Sequence, residues 1–161
     1  MLAPADRQLP FPDRRQIYRG IPMNKHLVFV YGTLRRGGAR TMSIGFPDSK
    51  FIADANVSGS LYDPGAYPGL LLNESNSLVI GEVYEVDDEI LKELDEFEAS
   101  SYYWRKQVEI SLGTDRKVCW IYEPDPEFYS LRTLITSGDW IEYARTKIDR
   151  PGDTWPDETQ S

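Results

Sequence analysis

One cysteine and one histidine in 161 residues leave little room for several kinds of chemistry. Cys119 cannot form an internal disulfide, which suits a reducing compartment but equally a secreted protein without bridges. His26 and Cys119 cannot assemble a structural zinc site, and any Ser-His-Asp or Cys-His device has to use His26. His26 opens an apolar strand and has no acidic partner nearby in sequence. Cys119 alternates with Val118 and Trp120 as a packing residue does. Neither a metal nor a cofactor is expected. No apolar run approaches the roughly 18 residues that a membrane span needs, so no membrane partner is expected either. Positive charge is scarce as well: 18 Lys and Arg face 26 Asp and Glu, for a formal net charge of -8. That field repels nucleic acid and anionic lipid. Carboxylates, hydroxyls and backbone amides remain as the reactive groups.

What is present fits one globular domain, with 40% hydrophobic and 27% charged residues. Residues 1–24 hold four of the eleven prolines beside Arg7, Arg14, Arg15 and Arg19, and show no apolar periodicity. They read as an extension, and residues 150–161 as a loose tail, leaving 25–149 as the domain. The extension lacks the apolar core of a secretory signal, which favours a cytoplasmic location, although its Arg-rich, acid-poor character leaves organelle import open. Strands are expected at His26 to Tyr31, Val57 to Tyr62, Leu78 to Val86, Gln107 to Ser111 and Lys117 to Tyr122. Gly113-Thr114-Asp115 turns the last two into a hairpin. One helix starts near Asp87 and runs to about Phe97, and a second follows Gly138. The expected fold is α+β: a small mixed β-barrel or strongly curved sheet flanked by a few helices.

Two features point toward a site. In Leu27 to Gly38 a buried strand runs into Tyr31-Gly32-Thr33-Leu34, where glycine lets the backbone turn with its amides outward. Such a turn can cradle an oxyanion or a carboxylate, or it can simply end the strand. It lacks the glycine spacing of phosphate loops and dinucleotide sites. Arg35, Arg36 and Arg40 lie beside it and suit either an acidic small molecule or solvent.

The second feature is Glu98. At about 100° per residue from Leu91, the residues Ile90, Leu94 and Phe97 fall near -100°, -60° and -120°, and Glu98 near -20°. It therefore closes the buried stripe, while Glu89, Lys92, Glu93 and Glu96 point away. A carboxylate against an apolar wall loses solvation, its pKa rises, and it becomes fit for proton transfer near neutral pH. Alternatively the helix stops short and Glu98 pairs with Arg105 or Lys106. Glu82, on a strand face with Leu78, Ile80, Tyr84 and Val86, reads as a buried, hydrogen-bonded structural group. Tyr102-Tyr103-Trp104 can line a pocket or fill core and rim.

Five blocks, in order, carry a resemblance: Val28 to Arg35; Leu61-Tyr62-Asp63 with Tyr67-Pro68-Gly69; Gly81 to Val86; Leu94 to Glu98; and Tyr103-Trp104-Arg105. Over about Leu27 to Tyr122 the chain resembles the γ-glutamylcyclotransferase-like superfamily, in its AIG2-like or γ-glutamylamine cyclotransferase branch. The resemblance implies an enzyme that cyclises the γ-glutamyl group of a small γ-glutamyl amide to 5-oxoproline and releases the amine. It implies Glu98 as the catalytic acid and base, with Tyr31, Gly32, Thr33 and Leu34 holding the γ-glutamyl group and Tyr103 closing the pocket. Ala99 stands where many members have glycine, and Ala39-Arg40 near where Asn-His is common. The departures bear on substrate identity. A non-catalytic module binding γ-glutamyl compounds or anions on the same scaffold, and an anion sensor built on Arg35, Arg36, Gly37 and Gly38, are the other readings.

Overall fold

The computed structural model describes residues 24–65, 67–73, 76–125 and 133–149. The expected tail, and the expected extension apart from Asn24, lie outside them. In chain order the elements are β1 (Lys25–Val30), α1 (Met42–Gly45), β2 (Lys50–Asp63), β3 (Gly69–Leu72), β4 (Leu78–Asp87) and α2 (Asp88–Ala99). Then follow β5 (Tyr103–Leu112), β6 (Asp115–Pro124), β7 (Thr133–Leu134) and α3 (Trp140–Asp149).

The strands make one sheet in the order β3-β2-β4-β1-β6-β5, with β7 added to β2. Every pairing is antiparallel except that of β1 with β6. Yet β3 also touches β6, and β2 touches β5. A flat sheet in this order keeps those strands far apart, so the sheet curls on itself into a half-barrel. This is the expected α+β architecture, a curved mixed sheet with few helices. No helix among the described residues is long and apolar enough to cross a membrane.

β1 explains why its sequence reads as an unbroken apolar run. Phe29 faces the core inside the curl with Leu61, Leu70, Val83 and Ile121. Val28 and Val30 face a second core, built with Met42, Ile90, Leu91 and Leu94 beneath α2. A strand covered on both faces needs no polar alternation. The helix α2 starts at a cap: the Asp87 carboxylate accepts from the Ile90 N–H at 2.9 Å, and Asp88 and Glu89 follow at the positive end of the helix dipole. It ends at Ala99, two residues beyond the expected stop, which puts Glu98 inside the helix. His26 finds an acidic partner after all, Asp88 in the first turn of α2.

Other differences have local causes. The strand expected from Val57 begins at Lys50, because the register slips between Phe51 and Ala53 and that bulge breaks the period of two. Gly69–Leu72 and Thr133–Leu134 are too short to show a period. Gly113, at φ 65°, turns β5 into β6 as expected.

The loop before α3 is anchored at one glycine. Gly138 adopts φ 69° and its carbonyl accepts from the Ile80 N–H at 2.8 Å. A Cβ there would lie 1.9 Å from the Leu78 carbonyl oxygen. Gly138→Ala is therefore expected to lower unfolding stability by about 3 kcal/mol in urea titrations; an unchanged midpoint would contradict this tight approach.

Candidate active site

Strand β1 ends at Val30, opposite Glu82 on β4, and the chain then enters the glycine turn. The carbonyls of Gly32, Thr33 and Leu34 are all taken by the residues that follow, accepting from the N–H groups of Arg35 (3.0 Å), Arg40 (2.9 Å) and Met42 (2.9 Å). Among the described residues, the N–H groups of Gly32, Thr33 and Leu34 donate to nothing. Three adjacent residues with unspent donors can accept an anion where their N–H groups converge. Glycine at 32 is required for a different reason from the one its sequence suggests. Its φ is not left-handed; a Cβ would instead lie 2.6 Å from the Pro68 ring. The left-handed position in this loop is Gly37, at φ 83°.

Glu82 holds the loop in place. It is 2% exposed and accepts from the Arg36 N–H at 3.1 Å and the Tyr84 hydroxyl at 2.8 Å. The guanidinium groups of Arg35 and Arg36 each approach it to 3.5 Å. Arg35 also donates to Asp139 at 2.8 Å, and Arg36 pairs with Asp54 and lies over the Phe51 ring. These two arginines are engaged within the fold. The structural reading of Glu82 agrees with this geometry.

A cavity of about 130 Å³ opens beside the turn. Its wall includes Tyr31, Gly32, Thr33, Leu34, Glu98 and Tyr103, so every candidate site residue comes to one place. Glu98 reaches it from the last turn of α2. Its carboxyl has no hydrogen-bond or ion-pair partner among the described residues. Burial alone pushes its pKa up to about 8, from an ordinary 4.5. The pairing with Arg105 or Lys106 does not occur: Arg105 bonds Asp95 at 3.0 Å and Lys106 bonds Glu123 at 2.7 Å.

The tyrosines divide into scaffold and wall. The Tyr31 hydroxyl donates to the Tyr122 carbonyl at 2.5 Å and accepts from the Leu70 N–H at 3.3 Å. Burial, with the nearby Glu98 charge second, raises its pKa well above the usual phenol value. It ties β1 to β6 and β3 from the cavity wall. Tyr103 donates to the Pro68 carbonyl at 2.8 Å and so holds the segment that packs on Gly32. Just before it, Tyr102 takes φ 63°, an unusual conformation for a side-chain-bearing residue. This sharp bend lets α2 and β5 both deliver side chains to one cavity.

Several wall residues escaped the sequence reading as site groups. Tyr122 donates to Asp95 at 2.8 Å, and Asp95 in turn binds Arg105, a chain that crosses from β6 to α2 and back to β5. Phe29, Pro68, Ser100 and Ser101 also line the cavity. Only the fold brings them together, although Pro68 belongs to one of the blocks that carried the resemblance. Cys119 is fully buried, and burial pushes its thiol up to about 11, which suits packing and not nucleophilic attack.

Comparison with known proteins identifies the family. Residues 28–142 match the family described as gamma-glutamyl cyclotransferase, AIG2-like. A Vibrio cholerae protein provisionally named a gamma-glutamylcyclotransferase is 40% identical over 119 residues, 73% of this chain and 97% of its own. The gamma-L-glutamyl-butirosin B gamma-glutamyl cyclotransferase of Niallia circulans is 34% identical over 125 residues, 72% of this chain and 76% of its own. Among solved structures, a mouse AIG2-like protein superposes with a TM-score of 0.54 at 29% identity, over 68% of this chain and 86% of its own. By sequence and by fold, the chain belongs to the gamma-glutamyl cyclotransferase, AIG2-like family.

Proposed function

We propose that the chain cyclises the γ-glutamyl group of a small γ-glutamyl amide to 5-oxoproline and releases the amine. One observation carries this reading: an unpartnered, desolvated Glu98 carboxyl shares a cavity with the three unspent N–H donors of the glycine turn. The reaction needs no protein nucleophile, because the substrate's own α-amine attacks its γ-carbonyl. What the protein must supply is a folded substrate, an oxyanion site and a proton carrier.

In this mechanism Glu98, as carboxylate, takes a proton from the α-ammonium. The freed amine attacks the γ-carbonyl carbon, forming the ring C–N bond. The N–H groups of Gly32, Thr33 and Leu34 receive the resulting oxyanion or hold the α-carboxylate. Glu98 then returns the proton to the departing nitrogen as the original amide C–N bond breaks, and the ring nitrogen gives up its second proton to the released amine, which leaves as an ammonium. Atoms balance without water: one amide gives 5-oxoproline and one free amine. A pKa near 8 suits this traffic, since the same carboxyl has to accept and release a proton at cellular pH. Tyr31, through Tyr122 and Leu70, and Tyr103, through Pro68, keep the walls in place.

Glu98→Gln keeps the shape and removes the proton carrier. The variant is expected to fold, and to release 5-oxoproline from γ-glutamyl-lysine, γ-glutamyl amino acids or glutathione about 10³-fold more slowly than the wild type. Near-normal turnover would sink the role of Glu98. Binding by calorimetry with no turnover of any amide by the wild type would favour the non-catalytic module. In the wild type, kcat/KM should rise with pH through about 8 as Glu98 ionises; a flat profile from pH 6 upward contradicts the base role.

The same group couples stability to pH. An unfolded chain releases this proton near pH 4.5, whereas the folded chain holds it to about pH 8, so stability falls as pH rises across that window. Glu98→Gln has no such proton to lose. Its stability relative to the wild type should therefore improve by roughly 1–3 kcal/mol between pH 5 and pH 9, measured by urea unfolding at both.

A further inference from the structure

After Leu94 the packing that seats α2 thins out. Ile90, Leu91 and Leu94 are buried, whereas the residues from Asp95 to Ala99 are half-buried or exposed. Apolar contact therefore seats the first part of the helix more firmly than its last turn, which carries Glu98. Directed polar bonds, sensitive to distance and angle, fix where that last turn lies. Asp95 makes them. Its Oδ1 accepts from the Tyr122 hydroxyl on β6 at 2.8 Å and pairs with the Arg105 guanidinium on β5 at 3.0 Å. Both partners are themselves held. Arg105 and Tyr122 stand opposite each other in the β5–β6 register, and the Arg105 guanidinium lies over the Trp120 ring, 4.1 Å from its centroid.

Tyr122 reaches the other half of the site as well. Its carbonyl accepts from the hydroxyl of Tyr31, the residue that opens the glycine turn, at 2.5 Å. One residue thus holds the helix that carries Glu98 through its side chain, and the strand end that carries the turn through its backbone. Tyr122 and Glu98 both line the cavity. Glu98 lies three residues beyond Asp95, about 4.5 Å farther along the helix axis. A helix tail released from Tyr122 moves the carboxyl relative to the turn, and an error of about 1 Å in such a placement can cost about 10²-fold in rate.

We propose that Asp95 and Tyr122 act as a positioning pair, whose hydrogen bond sets the separation between the Glu98 carboxyl and the N–H groups of Gly32, Thr33 and Leu34. This rests on the cyclotransferase reading above. Neither residue takes or gives a proton in the reaction: the pair acts through Glu98, and Arg105 balances the charge of Asp95. Its loss should fall on kcat and not on KM, because the turn and the walls that receive the substrate stay as they are.

Turnover of γ-glutamyl amides by the full chain tests this in Tyr122→Phe, Asp95→Ala, Asp95→Asn and the Tyr122→Phe/Asp95→Ala double variant. Thermal melting confirms that each is folded. Tyr122→Phe keeps the ring in the wall and removes the hydroxyl. It and Asp95→Ala should each lower kcat by about 10- to 100-fold with KM within about twofold, and the double variant should be no slower than the slower single one. Asp95→Asn retains an oxygen in the accepting position and should recover most of the loss. Wild-type kcat in Tyr122→Phe overturns the proposal. So does a loss confined to KM, and so do effects that multiply in the double variant, which would give the Tyr122 hydroxyl a role apart from Asp95. If Asp95→Ala does not fold, Tyr122→Phe and Asp95→Asn still decide: a lower kcat in the first alone supports the pair, and the same kcat in both overturns it. Should the wild type turn over no amide, the cyclotransferase reading fails by itself, and a ¹³C titration of the Glu98 carboxyl tests the positioning. Tyr122→Phe changes no charge, yet a released helix tail admits water and should lower the midpoint from about 8 by about one pH unit or more; an unmoved midpoint overturns the pair.

Discussion

The site depends on one buried carboxylate that does no chemistry. Glu82 sits at the end of the β1–β4 ladder, opposite Val30, and gathers the Arg36 N–H, the Tyr84 hydroxyl and two guanidinium groups. A buried charge is costly unless it is paired and hydrogen-bonded. Here the partners that make it tolerable are, apart from Tyr84, the loop residues Arg35 and Arg36, so the charge is fully satisfied when the loop adopts this path. Asp139, ahead of α3, extends the clamp by holding Arg35. With the loop fixed from behind, its carbonyls are spent within the loop and the N–H groups of three residues that line the cavity are left unspent.

Glu98 shows the opposite outcome for the same side chain. Glu82 is buried and Glu98 half-buried at the cavity wall, but Glu82 meets two cations and Glu98 meets none. Partners keep the first in a structural role. Their absence pushes the second up to about 8, where it can exchange a proton. Environment, not residue type, separates the scaffold from the candidate catalyst. The neighbouring tyrosines complete the separation, because their hydroxyls bind backbone or Asp95 and leave Glu98 without a donor.

Much of this was legible in the chain itself. The apolar run of β1 is visible because both of its faces are covered, and the wheel of α2 places Glu98 inward because Ile90, Leu91 and Leu94 define a narrow stripe. The Asp87 cap marks where that helix starts. Other features carry no local signal. The bulge in β2 hides its first half, and the four residues of β3 show no period. The Arg35–Asp139 pair spans 104 positions, and Arg40 looks like its two arginine neighbours although it lines the cavity while they pair with Glu82. The need for glycine at 32 is likewise set by Pro68, a partner that only the closed sheet brings near.

The central claim is that the N–H groups of Gly32, Thr33 and Leu34 receive the γ-glutamyl group opposite Glu98. Titrating ¹⁵N-labelled protein with 5-oxoproline tests it directly, by following the backbone amide resonances to saturation. These three amides are expected to show the largest downfield proton shifts in the chain. Saturable binding that leaves all three unmoved would contradict it.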